Sequence, residues 1–183
     1  MSGAGNKSAE QTMSAVIDTR ALPKAELSLA ATPEEAGALA ERFQISAIDR
    51  FEAVATLTQQ DDAVMATGRL EADIVQQCRI SGEDFPVAVR ARFALRFLSE
   101  AAYAAYEQGD GEEEGTEISA EDCDTLAYSG SQIMLGEAIA QSLALEIDPY
   151  AEGPDADRIR SEYGLNAPAP DGPFAALASL RKE

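Results

Sequence analysis

The chain has 183 residues, 45% of them apolar, so it fits one domain able to bury roughly 70% of the surface its unfolded form exposes. Thirty-three acidic groups against fourteen basic ones give a formal net charge of −19, which opposes generic adhesion to nucleic acid or anionic membrane and leaves room only for local RNA contacts. Histidine is absent, which removes the Ser/His and Cys/His nucleophile pairs and argues for a protein that is not an enzyme.

No stretch approaches the length of a membrane span, and nothing near the amino terminus has the layout of a secretory signal. The expectation is a cytoplasmic protein without a membrane partner. Residues 1–13 are small and polar and read as a flexible end; residues 14–183 read as a single domain. Short strands are expected at Ser14 to Thr19 and Ala25 to Leu29. Thr32, Pro33, Glu34 and Glu35 then have the N-cap threonine, first-turn proline and third-position glutamate of a capping box, which predicts a helix to about Phe43.

From Ser46 to Phe97 the apolar period changes to two, which predicts an antiparallel meander with one wet face. Its first segment puts Phe51, Ala53, Ala55 and Leu57 on one side. The second places Val64, Ala66, Gly68, Leu70, Ala72, Ile74 and Cys78 together, interrupted only by Gln76, and in the third every odd residue from Phe85 to Phe97 is apolar. Matching core residues to core residues suggests pairing Leu57 with Val64 and Cys78 with Phe85. That register sets Glu52 against Arg69 and Asp73 against Arg90, and makes a charge ladder of Arg50, Glu71 and Arg92.

Ser99 can cap a short helix through Tyr106. Residues 108–124 follow as an acidic, glycine-broken loop expected to be mobile. Met134 to Ile147 returns to helical spacing, with Leu135, Ile139 and Leu143 on the stripe expected to pack across the sheet. Residues 149–173 are rich in Pro and Gly, with a possible turn of helix near Ile159. The chain ends in an amphipathic segment carrying Phe174, Leu177 and Leu180 followed by Arg181 and Lys182. The fold expected is thus α+β, an antiparallel meander with helices packed on one face.

Few residues invite chemistry. Asp110, Glu112, Glu114, Gly115 and Glu121 fall on EF-hand positions, but glutamate replaces the shorter ligands and no helix is evident after Glu121, so a solvated loop is expected. Cys78 lies in a strand pattern and Cys123 in the acidic loop, which argues against a disulfide. The meander arginines, Arg50, Arg69, Arg79, Arg90, Arg92 and Arg96, are the natural RNA candidates. Cross-strand carboxylates engage four of them, leaving Arg79 and Arg96 as the expected RNA contacts. The tail, Phe174, Leu177, Leu180, Arg181 and Lys182, is either a core-docking helix or a partner-recognition motif.

The turn Cys78-Arg-Ile-Ser-Gly-Glu-Asp-Phe85, the helix ending Leu-Ala-Leu-Glu-Ile-Asp-Pro-Tyr150 and the terminal Pro173-Phe-Ala-Ala-Leu-Ala-Ser-Leu-Arg-Lys182 together resemble the YceD family, the large ribosomal RNA subunit accumulation proteins. The resemblance covers roughly residues 15–182 and is most specific at the tail. It implies a non-enzymatic ribosome-biogenesis factor supporting synthesis, processing or accumulation of 23S ribosomal RNA. Its implied partners are that RNA or a pre-ribosomal particle, with a ribosomal protein as a further candidate and no small-molecule substrate. Many members carry Cys-x-x-Cys in the hairpin turn, and some a second cysteine pair, which suggests zinc. Here the second position is Ser81 and no cysteine follows Pro149, so four thiolates cannot be assembled and no cofactor is expected. An acidic adaptor that never contacts RNA is the alternative reading, and a carboxylate-based hydrolase a weaker one.

Overall fold

The computed structural model describes residues 10–108 and 124–165. They divide into two compact units, one formed by residues up to Gln76 with Pro86–Asp148, the other by Gln77–Phe85 with the chain from Pro149 onward.

The first unit is built on a six-stranded sheet. Its elements are β1 (Glu10–Thr12), β2 (Val16–Asp18), β3 (Leu27–Ala30), α1 (Pro33–Phe43), β4 (Ala47–Gln60), β5 (Ala63–Gln77), β6 (Asp84–Ser99), α2 (Glu100–Gln108), β7 (Asp124–Tyr128), β8 (Gln132–Met134) and α3 (Leu135–Glu146). The sheet order is β1-β3-β4-β5-β6-β7, and β2 pairs with β8 in a separate two-stranded sheet.

The meander is present, and its apolar face is the expected one. Phe51, Ala53, Ala55 and Leu57 of β4, Val64, Ala66, Leu70, Ala72 and Ile74 of β5, and Val89, Phe93, Leu95 and Phe97 of β6 are all buried. The purely antiparallel expectation is corrected at both edges, where β1 runs parallel to β3 and β7 parallel to β6. Both edge strands are short, three and five residues, and neither alternates between apolar and polar positions in the way that marks a half-buried strand. Glu10–Thr12, read from sequence as part of a flexible end, is thus a strand, and Met13 after it is buried.

The register of the first hairpin is also corrected, by two residues. Leu57 pairs with Ala66 and Gln60 with Ala63, which closes the loop to Asp61 and Asp62. Asp61 takes a left-handed backbone (φ 51°), a conformation aspartate tolerates better than most residues. The Gln59 side chain donates to the carbonyls of Asp61 (2.9 Å) and Ala63 (3.1 Å). A shift of two preserves the buried face, so the apolar pattern was blind to it. Further down β4 the register breaks between Ile48 and Arg50. That bulge turns even-numbered Ile48 inward although the buried residues after it are odd.

Two helices close the core. α1 starts on the capping box as its sequence predicts: Thr32 Oγ1 accepts from the Glu35 N–H (3.2 Å) and the Glu35 carboxylate accepts from the Thr32 N–H (2.9 Å). It buries Ala36, Leu39 and Ala40. α3 buries Leu135, Ile139 and Leu143, the stripe expected from sequence, together with Ala138 and Ala140, and all of these belong to one apolar cluster with the sheet residues. α2 follows β6, with Ser99 Oγ accepting from the Ala102 N–H (3.3 Å), and buries no residue. The expectation of helices covering one face therefore holds for α1 and α3. Gln76, the one break in the β5 apolar pattern, is 6% exposed, and its amide donates to the Asp148 carbonyl (3.0 Å).

In the second unit the hairpin turn is held by backbone bonds. Cys78 N–H donates to Glu83 O (2.8 Å), Gly82 N–H to Cys78 O (2.9 Å) and Arg79 N–H to Ala151 O (3.0 Å). Cys78 therefore meets Glu83 across the turn, where the sequence suggested Phe85. The helical turn expected near Ile159 is α4 (Ala156–Glu162). Gly153 sits against Phe85 and Cys78: a Cβ there would lie 3.0 Å from Phe85 Cδ1 and 3.3 Å from Cys78 Cβ.

Candidate nucleic-acid contacts

On the wet face of the sheet the charges sort themselves differently from the expected ladder. Arg50 gathers three carboxylates: Asp73 (2.8 Å), Glu52 (3.1 Å) and Glu71 (3.6 Å). The shifted register sets Glu52 directly opposite Glu71, a like-charge pair that Arg50 offsets by reaching both. Glu71 meets Arg90 (3.8 Å) where Arg92 was expected, and Arg69 reaches Glu26 (3.8 Å) instead of Glu52. Arg92 has no carboxylate within ion-pair distance among the described residues. It joins Arg79 and Arg96 as a cation without an acidic partner there.

The two arginines singled out from sequence share a feature that the sequence did not reveal. In the first unit the Arg96 guanidinium lies over the ring of Tyr106, 5.9 Å from its centroid. Tyr106 is 53% exposed and its ring stands 6.3 Å from that of Tyr103, tilted by 44°. The geometry follows from chain order: Arg96 points to the wet side of β6, and α2 begins one residue after the strand ends, bringing its second turn back over that side chain. In the second unit, considered by itself, Arg79 lies over the ring of Tyr150 at 6.0 Å, and Tyr150 is 70% exposed. Each pair presents a cation and a flat π-surface at solvent, the two things an unstacked base and its phosphate recognise. A one-dimensional search for cation clusters misses such pairs, because Arg96 and Tyr106 sit ten positions apart and Arg79 and Tyr150 seventy-one.

Cys78 is buried, 2% exposed. The Ser81 hydroxyl and N–H hydrogen-bond its sulfur, the latter at 3.4 Å, and with the Gly153 N–H they outweigh burial and hold the thiol at about 7, well below its ordinary value. Ser81, at the place of the second cysteine of a Cys-x-x-Cys turn, thus supports the sulfur of the first as a hydrogen-bond donor. One sulfur with amide donors around it does not fit a zinc ion. Among the described residues no three Cys, Asp or Glu side chains converge on a point that could hold a metal, and no helix is long and apolar enough to cross a membrane.

Two depressions mark the first unit. One, about 550 Å³, lies between α1 and β4 against Pro33, Ala36, Gly37, Ile48 and Phe51, with exposed Glu41 and Asp49 among its lining. The other, about 420 Å³, lies between β7 and α3. The tail residues Phe174, Leu177, Leu180, Arg181 and Lys182 fall outside the described residues, as does the EF-hand-like run Asp110, Glu112, Glu114, Gly115 and Glu121. Comparison with family models, curated proteins and solved structures finds no match for this chain.

Proposed function

We propose that this protein is a non-enzymatic ribosome-biogenesis factor of the bacterial cytoplasm that supports the accumulation of large-subunit ribosomal RNA by touching single-stranded segments of it at a few points. The observation that carries the reading is the pairing of Arg79 with Tyr150 and of Arg96 with Tyr106, each at an exposed ring. The resemblance of the Cys78 to Phe85 turn and the C-terminal segment to the YceD family supplies the RNA class.

Electrostatics sets the character of that binding. A chain of net charge −19 repels a polyphosphate at long range, and salt screens that repulsion, so affinity comes from stacking and a few short-range contacts and depends only weakly on salt. A base stacked on an aromatic ring contributes about 1 to 3 kcal/mol. The test is fluorescence anisotropy with unstructured fragments of large-subunit RNA at low and physiological salt. Binding at low salt that weakens by about tenfold or more in each of Tyr106→Ala and Tyr150→Ala is expected. Absence of binding at low salt, or variants that bind as the parent does, would refute direct RNA contact.

A further inference from the structure

The wet face of the sheet changes sign along its length. Between β5 and β6, Glu71 reaches Arg90 (3.8 Å). Two residues on, back along β5 and forward along β6, Arg69 and Arg92 therefore come side by side on the same face. Both are exposed. Like charges facing each other across a ladder destabilise a sheet, and here little offsets them. Arg92 meets no carboxylate among the described residues. Arg69 is paired with Glu26 at 3.8 Å, with both side chains more than half exposed, a contact that contributes little. The neighbours are neutral: the register sets Val54 beside Arg69, Thr56 beside Thr67 and Thr58 beside Met65, and Ala94 follows Arg92 on its own face of β6. Four residues along from Arg92 stands Arg96, against the exposed ring of Tyr106. The carboxylates Glu52, Glu71 and Asp73 gather instead around Arg50.

We propose that this cationic half of the wet face is the floor on which RNA phosphates lie, with Arg92 and Arg69 holding the backbone of the strand whose base stacks on Tyr106. It extends, and rests on, the reading of Arg96 and Tyr106 as an RNA contact. Arg92 and Arg96 are about 13 Å apart along an extended strand, which a nucleic acid rising about 3.4 Å per stacked nucleotide covers in about four. Guanidinium groups match phosphate oxygens in a fork geometry. The aromatic ring at one end of the stretch suits a base, which an acidic peptide lacks.

The test uses the full chain and a labelled, unstructured oligouridylate, followed by fluorescence anisotropy at low salt. Arg69→Thr and Arg92→Thr should each weaken binding by about threefold or more. Arg42→Ala, on α1 at the apolar side of the sheet and paired with Glu137, should not. Replacing the phosphodiesters by uncharged methylphosphonates should weaken binding to the parent far more than to the double variant Arg69→Thr with Arg92→Thr. Arg92→Thr removes one of two facing like charges and introduces a good strand former, so its melting temperature should equal or exceed the parent's. If Tyr106→Ala weakens binding while both threonine variants bind as the parent does, the phosphate floor is refuted and the stacking contact stands. If the parent does not bind, or Tyr106→Ala leaves binding untouched, both fall. A methylphosphonate strand that binds equally well also overturns the proposal, as does a lowered melting temperature in Arg92→Thr, which would make its effect one of folding. Displacement of the RNA by a polyglutamate peptide at equal charge would overturn it in favour of an acidic protein segment.

Discussion

The carboxylate of Glu35 binds Ser14 twice, through the Ser14 N–H (2.8 Å) and hydroxyl, while also closing the capping box on the Thr32 N–H. One side chain therefore caps α1 and ties it to the turn that follows β1. Burial alone would raise the Glu35 pKa, but the Ser14 and Thr32 hydrogen bonds prevail and bring it from 4.5 to about 2. A depressed carboxylate stabilises the fold fully above its unfolded value and loses that contribution as pH falls through its folded value. The stability difference between the parent and Glu35→Gln should be about 1 to 2 kcal/mol at pH 7, the range for losing a helix cap. It should shrink between pH 4.5 and pH 2. Urea denaturation of both proteins across that range checks it, and a difference independent of pH would refute the assignment.

Two helix glycines should respond oppositely to alanine. Gly136 in α3 faces the Met13 carbonyl, and a Cβ there would lie 1.9 Å from its oxygen. Backbone must shift, and Gly136→Ala should lose about 2 to 3 kcal/mol or more. Gly37 in α1 has nothing within 4 Å of where a Cβ would stand, so Gly37→Ala should gain about 0.5 to 1 kcal/mol from helix propensity. Thermal denaturation of the pair checks both signs.

Gln76→Leu should cost about 1 to 3 kcal/mol, because the Asp148 carbonyl loses its amide donor while leucine fills the same volume. Gln76→Glu should cost more, since it places a carboxylate against that carbonyl. Chemical denaturation at pH 7 ranks the three proteins.

The Arg50 cluster should behave as a surface network. A double-mutant cycle on Arg50→Ala and Asp73→Ala should give a coupling of about 0.5 to 1 kcal/mol at low salt, falling by half or more in 1 M sodium chloride. A coupling insensitive to salt would mean that packing of the Arg50 stem dominates.

Much of this architecture was legible in the sequence because its signals are periodic. The alternation in β4, β5 and β6, the capping box at Thr32 and the stripe Leu135, Ile139, Leu143 each report burial or hydrogen bonding that repeats along the chain. What escaped are features that depend on one residue or on distant pairing. The two-residue register shift hangs on the backbone of Asp61, and the phase change in β4 hangs on one bulge. β1, β7 and β8 are strands of three to five residues, too short for periodicity to speak. At the candidate contacts, Arg79 and Arg96 were found by elimination, while their tyrosines were not, since no local pattern links positions so far apart. Arg92 was assigned Glu71 as its partner, and that carboxylate lies within ion-pair distance of Arg90 instead.

The parallel edges carry a consequence for how the chain finds its structure. Hairpins β4-β5 and β5-β6 need only short loops to close, whereas β1 reaches β3 across fourteen residues and β7 reaches β6 across twenty-four. Longer closures carry a larger entropic cost before any pairing energy returns. The meander should therefore form first as the nucleus, and the edges should dock onto it late. Core substitutions in β5 should slow refolding, whereas substitutions in β7 should mainly accelerate unfolding. In native-state hydrogen exchange, the amides of Leu126 and Ala127 should open at lower free energy than those of Leu70 and Ala72.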